Sequence, residues 1–287
     1  MKAFEYFRPK EVEEVSKILL EHAGKAKLIG GGTDLLVGLL KKGERSLEYI
    51  VSLRDVPGLR FIREVKDQGF AIGAMTTLRE IERSELLKEK YPVLSQAAGK
   101  VGYIQIRNVA TLGGNLCNAS PAADMVPPLV CLDAKVRLVG SDGERVISLE
   151  SFFVGPGETA LKTGEWVKEI IVPPMEKGRK ATYTKLERSA MDIAIASVGV
   201  AMTRNNGRSG CRNVRIVLGA VAPIPLRAKG AEILLEGRVV DSHLIEEAAR
   251  LVSRDCHPIT DVRSSESYRR KMIRVLTVRA LKEITEA

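Results

Sequence analysis

The chain has 287 residues, enough for two domains with a substantial core, and its 45 basic and 36 acidic side chains leave a net charge of +9. With 45% hydrophobic and 28% charged residues it has the composition of a soluble globular protein, and no apolar run approaches the ~20 residues that span a bilayer. The basic surplus is scattered and not interleaved with aromatics, which argues against nucleic acid and fits an anionic cofactor or an acidic partner subunit.

Taken in chain order, Met1 to Pro9 lacks the apolar core of a secretory signal, so a cytoplasmic location is expected. Val12, Val15, Ile18 and Leu19 have helical spacing between Pro9 and His22, and Gly24 stops that helix. Lys27 to Gly30 reads as a strand, Leu35 to Lys41 as a helix and Glu48 to Leu53 as a strand, with Gly30-Gly31-Gly32-Thr33-Asp34 at the strand-to-helix corner. Arg60–Val65 and Phe70–Ala74 form an expected hairpin. Thr77-Leu-Arg-Glu80 is a capping box that opens a helix to about Leu87, and Tyr91–Val101 is a second helix.

Next comes Thr111-Leu-Gly-Gly-Asn-Leu-Cys-Asn-Ala-Ser-Pro-Ala-Ala-Asp124. Ser120-Pro121 is read here as an N-cap and first-turn proline, and Pro127-Pro128 is expected to break or kink the helix so begun. Lys135–Val139 with Val146–Leu149 is another hairpin and Trp166–Val172 another strand. Pro173-Pro174 and the polar Met175 to Lys180 mark a domain boundary, which divides the chain into 1–175, with subdomains of about 1–55 and 56–175, and 176–287. Beyond it, strands at Ala181–Leu186, Ala194–Met202 and Val214–Ala220, with a turn at Asn205-Asn-Gly207, precede helices at Ala228–Leu235, His243–Val252 and Glu266–Glu283.

Glycine turns of this kind free backbone N–H groups to hold an anion, most often a phosphate, and two of them suit a ligand with a diphosphate in its middle. Neither matches the G-x-G-x-x-G or the G-x-x-x-x-G-K-[ST] pattern, which disfavours a nicotinamide Rossmann domain and a P-loop. Cys117, Cys131, Cys211 and Cys256 contain no C-x-x-C pair, which argues against a zinc or iron–sulfur site and against a disulfide framework. Cys117 is either a ligand contact or a small buried residue. His22, His243 and His257 lie away from the glycine turns, and no carboxylate pair suggests acid–base work, so no catalytic residue is assigned. The residues alone describe a site for a large anionic cofactor that carries the reactivity itself. Asp124 reads either as a sugar-hydroxyl acceptor or as a first-turn acid, and Lys185 as a cation for a reduced ring or, by preference, as a solvent-facing side chain.

Lys27-Leu-Ile-Gly-Gly-Gly-Thr-Asp-Leu-Leu36 and the Thr111–Asp124 stretch resemble the paired signatures of the FAD-binding medium subunit of the molybdenum hydroxylases. That family includes xanthine dehydrogenases, aldehyde oxidoreductases, nicotinate dehydrogenase, 4-hydroxybenzoyl-CoA reductase and carbon monoxide dehydrogenase. The likeness continues through Tyr183-Thr-Lys-Leu-Glu-Arg-Ser-Ala-Met-Asp-Ile-Ala194 and Ser267-Tyr-Arg-Arg-Lys-Met272, so it covers essentially the whole chain.

The resemblance implies an α+β protein: a vanillyl-alcohol-oxidase-type FAD-binding domain of two α/β subdomains, then a smaller α+β domain with an antiparallel sheet and helices. It implies FAD as cofactor, with a diphosphate embraced by Leu28, Ile29, Gly30, Gly31, Gly32, Thr33, Asp34 and Leu35 on one side and Thr111, Leu112, Gly113, Gly114 and Asn115 on the other. It places Asp124 near the adenosine or ribityl end, Lys185 at the flavin's pyrimidine edge and Leu161 near the isoalloxazine.

Implied partners are a large molybdenum-cofactor subunit and a small [2Fe–2S] subunit in a dimerised heterotrimer, and an external electron acceptor. Carbon monoxide dehydrogenases resemble Ala-Gly-Gly-His-Ser where this chain has Gly30-Gly-Gly-Thr-Asp34, which turns the expectation towards the xanthine, aldehyde, nicotinate or aryl-CoA branch. The absence of a cysteine-rich insertion tells against the 4-hydroxybenzoyl-CoA reductases that carry one, and Val101 stands where xanthine-type proteins place an aromatic. A carbon monoxide dehydrogenase medium subunit and a stand-alone flavoenzyme of the same fold remain the alternatives.

Overall fold

The computed structural model describes residues 4–42, 47–204 and 210–286, so the turn expected at Asn205-Asn-Gly207 lies outside the described residues. Three main sheets follow one another along the chain. The first consists of β1 (Glu5–Phe7), β2 (Ala26–Ile29) and β3 (Tyr49–Ser52) in the order β1-β3-β2, all parallel. Parallel neighbours need a crossover, here α1 (Val12–Glu21) and α2 (Leu35–Lys42). The middle strand, β3, buries Ile50, Val51 and Ser52, and α1 turns Val15 and Ile18 inward.

The second sheet is antiparallel, with β4 (Ile62–Val65), β5 (Gly69–Gly73), β6 (Lys135–Gly140) and β7 (Gly143–Ser148) built around β10 (Trp166–Val172) in the order β4-β5-β10-β6-β7. A small ribbon of β8 (Phe153–Gly155) and β9 (Glu158–Thr159) precedes β10. Trp166, almost wholly buried, packs with Val15, Leu53, Val56, Leu59 and Val139 and donates from Nε1 to Ser16 Oγ at 3.1 Å. This cluster fastens the first sheet to the second.

Six short helices separate β5 from β6. The capping box forms as expected, Thr77 Oγ1 accepting from the Glu80 amide and the Glu80 carboxylate accepting from the Thr77 amide. The single helix expected to Leu87 is instead two, α3 (Leu78–Arg83) and α4 (Glu85–Lys90). Ser84 stops the first in extended backbone and caps the second through Oγ to Leu87 N. After α5 (Pro92–Gly99) and the unanticipated α6 (Ile104–Arg107), α7 spans Leu112–Cys117 and α8 spans Val126–Cys131.

Two readings are corrected here. Ser120-Pro121 does not begin a helix: the N-cap is Thr111, and Ser120 and Pro121 lie in a turn in which Ala123 N donates to Ser120 O. Pro127 and Pro128 do not break a helix either. They occupy the first turn of α8, where the missing N–H groups have no intrahelical acceptor to lose.

The third sheet, β11 (Arg179–Leu186), β12 (Ala196–Arg204), β13 (Cys211–Gly219) and β14 (Leu226–Arg227), is antiparallel in that order. β12 is buried from Ala196 to Thr203, which explains its unbroken apolar reading. Helices α9 (Lys229–Leu235) and α11 (Glu266–Glu286) pack on this sheet, α10 (Ser242–Asp255) packs on both of them, and the wholly buried α8 wedges against the sheet from the first domain. Among the described residues no helix is long and apolar enough to cross a membrane. Replacing Thr77 with Ala should lower stability by about 1 kcal/mol through loss of the capping box, read as a lower urea midpoint at unchanged slope.

Candidate functional site: two glycine turns and a buried ion pair

The first glycine turn follows β2 and is pressed directly onto the approach to the second. A Cβ at Gly31 would stand 2.0 Å from the Val109 carbonyl oxygen, and one at Gly30 would stand 2.8 Å from Thr111 Oγ1. Gly113 is equally confined, its would-be Cβ 2.8 Å from Ala74 Cβ while its amide donates to Ala74 O. Only glycine allows these backbones to meet. The two motifs, distant in sequence, are thus one surface.

Their backbone donors differ. The amides of Gly31, Gly32, Thr33 and Asp34 have no acceptor within the described residues. Those of the second turn are spent: Leu112 on Thr76 O, Gly113 on Ala74 O, Gly114 on Thr111 Oγ1 at 3.1 Å, and Asn115 on Thr111 O. The expectation that both turns present free N–H groups therefore needs correction. The first is the nest of donors. The second supplies a wall, the exposed backbone of Gly114 and Asn115 Oδ1, which is buried and has no hydrogen-bond partner. A buried acceptor left alone is unfavourable, so a donor from a bound molecule would relieve it.

A buried cluster gathers around Asp124, further along the second motif. Asp124 follows the Ser120-Pro121 turn, not a helix start, so the first-turn-acid reading does not hold. Tyr183 Oη donates to Asp124 Oδ1 at 2.6 Å, and Lys185 Nζ lies 3.3 Å from Oδ2. Lys185 also donates to the carbonyls of Lys100 at 2.7 Å and Asp192 at 3.2 Å and pairs with Glu187 at 2.7 Å. Its side chain is 1% exposed, which overturns the solvent-facing reading.

Burial raises the Asp124 carboxyl above its usual range against the opposing pull of Lys185 and Tyr183. Burial likewise lowers the Lys185 ammonium, with Lys100 adding to that effect and Asp124 resisting it. The Tyr183 phenol is raised well above its ordinary value by burial and by the neighbouring carboxylate, so it remains a donor. Tyr183 carries no site signal of its own in the sequence, but it and Lys185 stand two apart on β11 and so share a face. Lys100, at the end of α5, carried no sequence signal.

The remaining candidates are placed less centrally. Leu161 is partly buried against the main core, and its segment reaches the second motif through Gly157 N, which donates to Ala119 O. Cys117 is packed against the same core, and burial pushes its thiol up to about 12, so it stays protonated at neutral pH. His22 stacks on Tyr49 and, with Phe7, completes a cluster of three rings. Among the described residues no group of acidic, histidine or cysteine side chains is arranged to hold a metal.

Replacing Tyr183 with Phe should leave a buried carboxylate oxygen without its donor and cost about 1–3 kcal/mol at neutral pH. The donor favours the ionised carboxylate, so the Asp124 pKa rises further in the variant. Its deficit therefore shrinks as pH falls and Asp124 takes up a proton, which paired denaturation curves at several pH values would register.

Residues 2–175 match the FAD binding domain in molybdopterin dehydrogenase, and residues 181–284 match the CO dehydrogenase flavoprotein C-terminal domain. The glyceraldehyde dehydrogenase medium chain of Sulfolobus acidocaldarius is 33% identical over 281 residues, covering 98% of both chains. The carbon monoxide dehydrogenase medium chain of Afipia carboxidovorans is 32% identical, covering 97% of this chain and 96% of that one. Among solved structures, carbon monoxide dehydrogenase from Hydrogenophaga pseudoflava superposes with a TM-score of 0.93 at 33% identity, covering 98% of this chain and 96% of its own. Overall identity of this order does not choose between aldehyde and carbon monoxide branches. Two glycine turns closed on one another, followed by the matching second domain, make this chain a member of the FAD-binding medium subunits of the molybdenum hydroxylases, oxidoreductase components whose cofactor is FAD.

Proposed function

We propose that the chain is the electron-transfer subunit of a multi-subunit molybdenum hydroxylase, passing electrons from [2Fe–2S] clusters on a small partner subunit to an external acceptor. A large subunit with the molybdenum cofactor would oxidise the substrate, in a dimerised heterotrimer located in the cytoplasm. The observation that carries this reading is the contact of Gly31 with the Val109 carbonyl, which makes the unpaired amides of Gly31 to Asp34 and the unpaired Asn115 Oδ1 parts of a single cradle. That donor set fits FAD: amides for the diphosphate and a lone acceptor for a hydroxyl.

FAD, when bound, accepts electrons singly and releases them as a pair, which couples one-electron centres to a two-electron acceptor. The protein's own work is to bind and bias. The amides from Gly31 to Asp34 hold negative charge without a compensating side chain. Lys185, fixed by Asp124, Glu187 and two carbonyls, holds a positive charge at one place. The ion pair between Lys185 and Asp124 favours the ribityl over the adenosine assignment for Asp124, because a residue at the flavin's pyrimidine edge and its partner belong to the same end of the cofactor. Leu161 would border the isoalloxazine.

The division into 1–175, with subdomains of about 1–55 and 56–175, and 176–287 is supported by the separate matches to residues 2–175 and 181–284. Within the family, Gly30-Gly-Gly-Thr-Asp34 favours the xanthine, aldehyde, nicotinate or aryl-CoA type.

The purified chain should be yellow or take up FAD, and tagged chain from its native host should bring down a large molybdenum-containing and a small iron–sulfur subunit. A colourless chain that ignores FAD would refute the reading, and an FAD-loaded chain that purifies alone would refute the subunit role. Gly31→Ala should weaken FAD binding by about tenfold or more, equivalent to ~1.4 kcal/mol, since the new methyl must push the turn off Val109. Titration of FAD fluorescence would measure it.

A further inference from the structure

We propose that Arg269, a buried arginine on α11, is a positioning residue for the cofactor site: it ties together the two backbone segments of the second domain that hold Lys185 and the Ser120–Asp124 turn. The inference rests on the FAD reading above and adds a residue outside the two glycine turns.

The Arg269 side chain is 1% exposed in the first turn of α11. One terminal nitrogen donates to the carbonyls of Ile195 and, at 3.2 Å, Ala220; the other donates to Asp261 Oδ1 at 2.7 Å. Nε is buried without a partner. The guanidinium is therefore committed to its outer edge, where two carbonyls and a carboxylate converge.

One carbonyl belongs to the loop that grips Lys185, and the other to a segment bonded to the turn that precedes Asp124. Ile195 closes the loop after β11, its amide donating to the carbonyl of Leu186, the residue after Lys185, at 2.7 Å. The same loop supplies the Asp192 carbonyl that Lys185 Nζ grips. Ala220, just past β13, has φ of +61°, a left-handed conformation that a residue with a side chain adopts at a cost. Its amide donates to Pro121 O at 2.7 Å, and Pro121 lies in the turn leading to Asp124. A strained alanine is thus anchored on both sides, to the first domain through its amide and to Arg269 through its carbonyl.

The anchor is itself fixed. Asp261 also accepts from the Arg263 amide at 2.8 Å and from the Arg263 guanidinium, and these bonds hold its carboxyl well below the usual range. Lysine could neutralise Asp261, but a single ammonium cannot place one nitrogen on the carbonyls of Ile195 and Ala220 and another on Asp261, as the planar fork does.

The test uses the full-length chain with Arg269→Lys. With helix content retained, amide exchange in 187–195 and 219–222 of the FAD-free protein should rise about tenfold while the first sheet stays protected. The FAD dissociation constant should rise about tenfold, and the visible bands of bound FAD should move. Adding Ala220→Gly should recover much of the affinity, because glycine takes the left-handed conformation unaided.

A folded Arg269→Lys chain with wild-type exchange and wild-type FAD affinity overturns the proposal, as does a loss that Ala220→Gly does not mend. Should Arg269→Lys fail to fold, the same measurements on Asp261→Asn decide, with wild-type exchange in both segments counting against it. A wild-type chain that takes up no FAD would refute the reading of the site instead, and the exchange comparison would still settle what Arg269 holds.

Discussion

The structure turns on one close approach, the backbone of Gly31 against the carbonyl of Val109. It is a contact that carries no side-chain chemistry. Its consequence is geometric: the corner after β2 and the N-cap of α7 become two sides of one surface, although separate sheets supply them. Everything assigned to the diphosphate depends on that distance. The cluster around Trp166 supports it from behind by locking the first sheet to the second.

The turns divide their labour in a way their similar composition hides. Free amides sit on the corner after β2, where no carbonyl or side chain among the described residues accepts them. At α7 the Thr111 hydroxyl and the Ala74 and Thr76 carbonyls take the amides, which leaves an exposed glycine and an unpaired asparagine oxygen. Free donors and a lone acceptor are thereby separated within a single surface.

The second domain enters the site through charge. Lys185 and Asp124 lie on opposite sides of the domain boundary and are both nearly dry. Burying such a pair costs desolvation that the Coulomb attraction alone does not always return. Here the cost is offset by Tyr183 and by two carbonyls, which satisfy the remaining acceptor and donors, and by the second negative charge of Glu187 beside the ammonium. Adhesion between the two domains is already provided by the apolar α8, so the pair's contribution is a positive charge fixed in one place.

By itself the sequence determined the local elements and the cofactor class. Period-two and helical spacing located the longer strands and most helices, because burial on one face imposes those periods, whereas the short strands β1, β8, β9 and β14 gave no such pattern. The Thr77 capping box and the two glycine corners were legible because each is a short-range requirement of the backbone. What it misjudged were choices settled by distant partners. Pro127-Pro128 begin a helix because α8 starts at Val126, and Thr111, not Ser120, caps because Ala74 and Thr76 are there to receive the first turn.

Lys185 looked solvent-facing because nothing near it in sequence announces Asp124 or Lys100. Only the tertiary structure brings a turn, a strand and a helix end to one point. Whether a charged side chain faces water or a counter-charge is decided by what packs against it, and that neighbour here belongs to another domain.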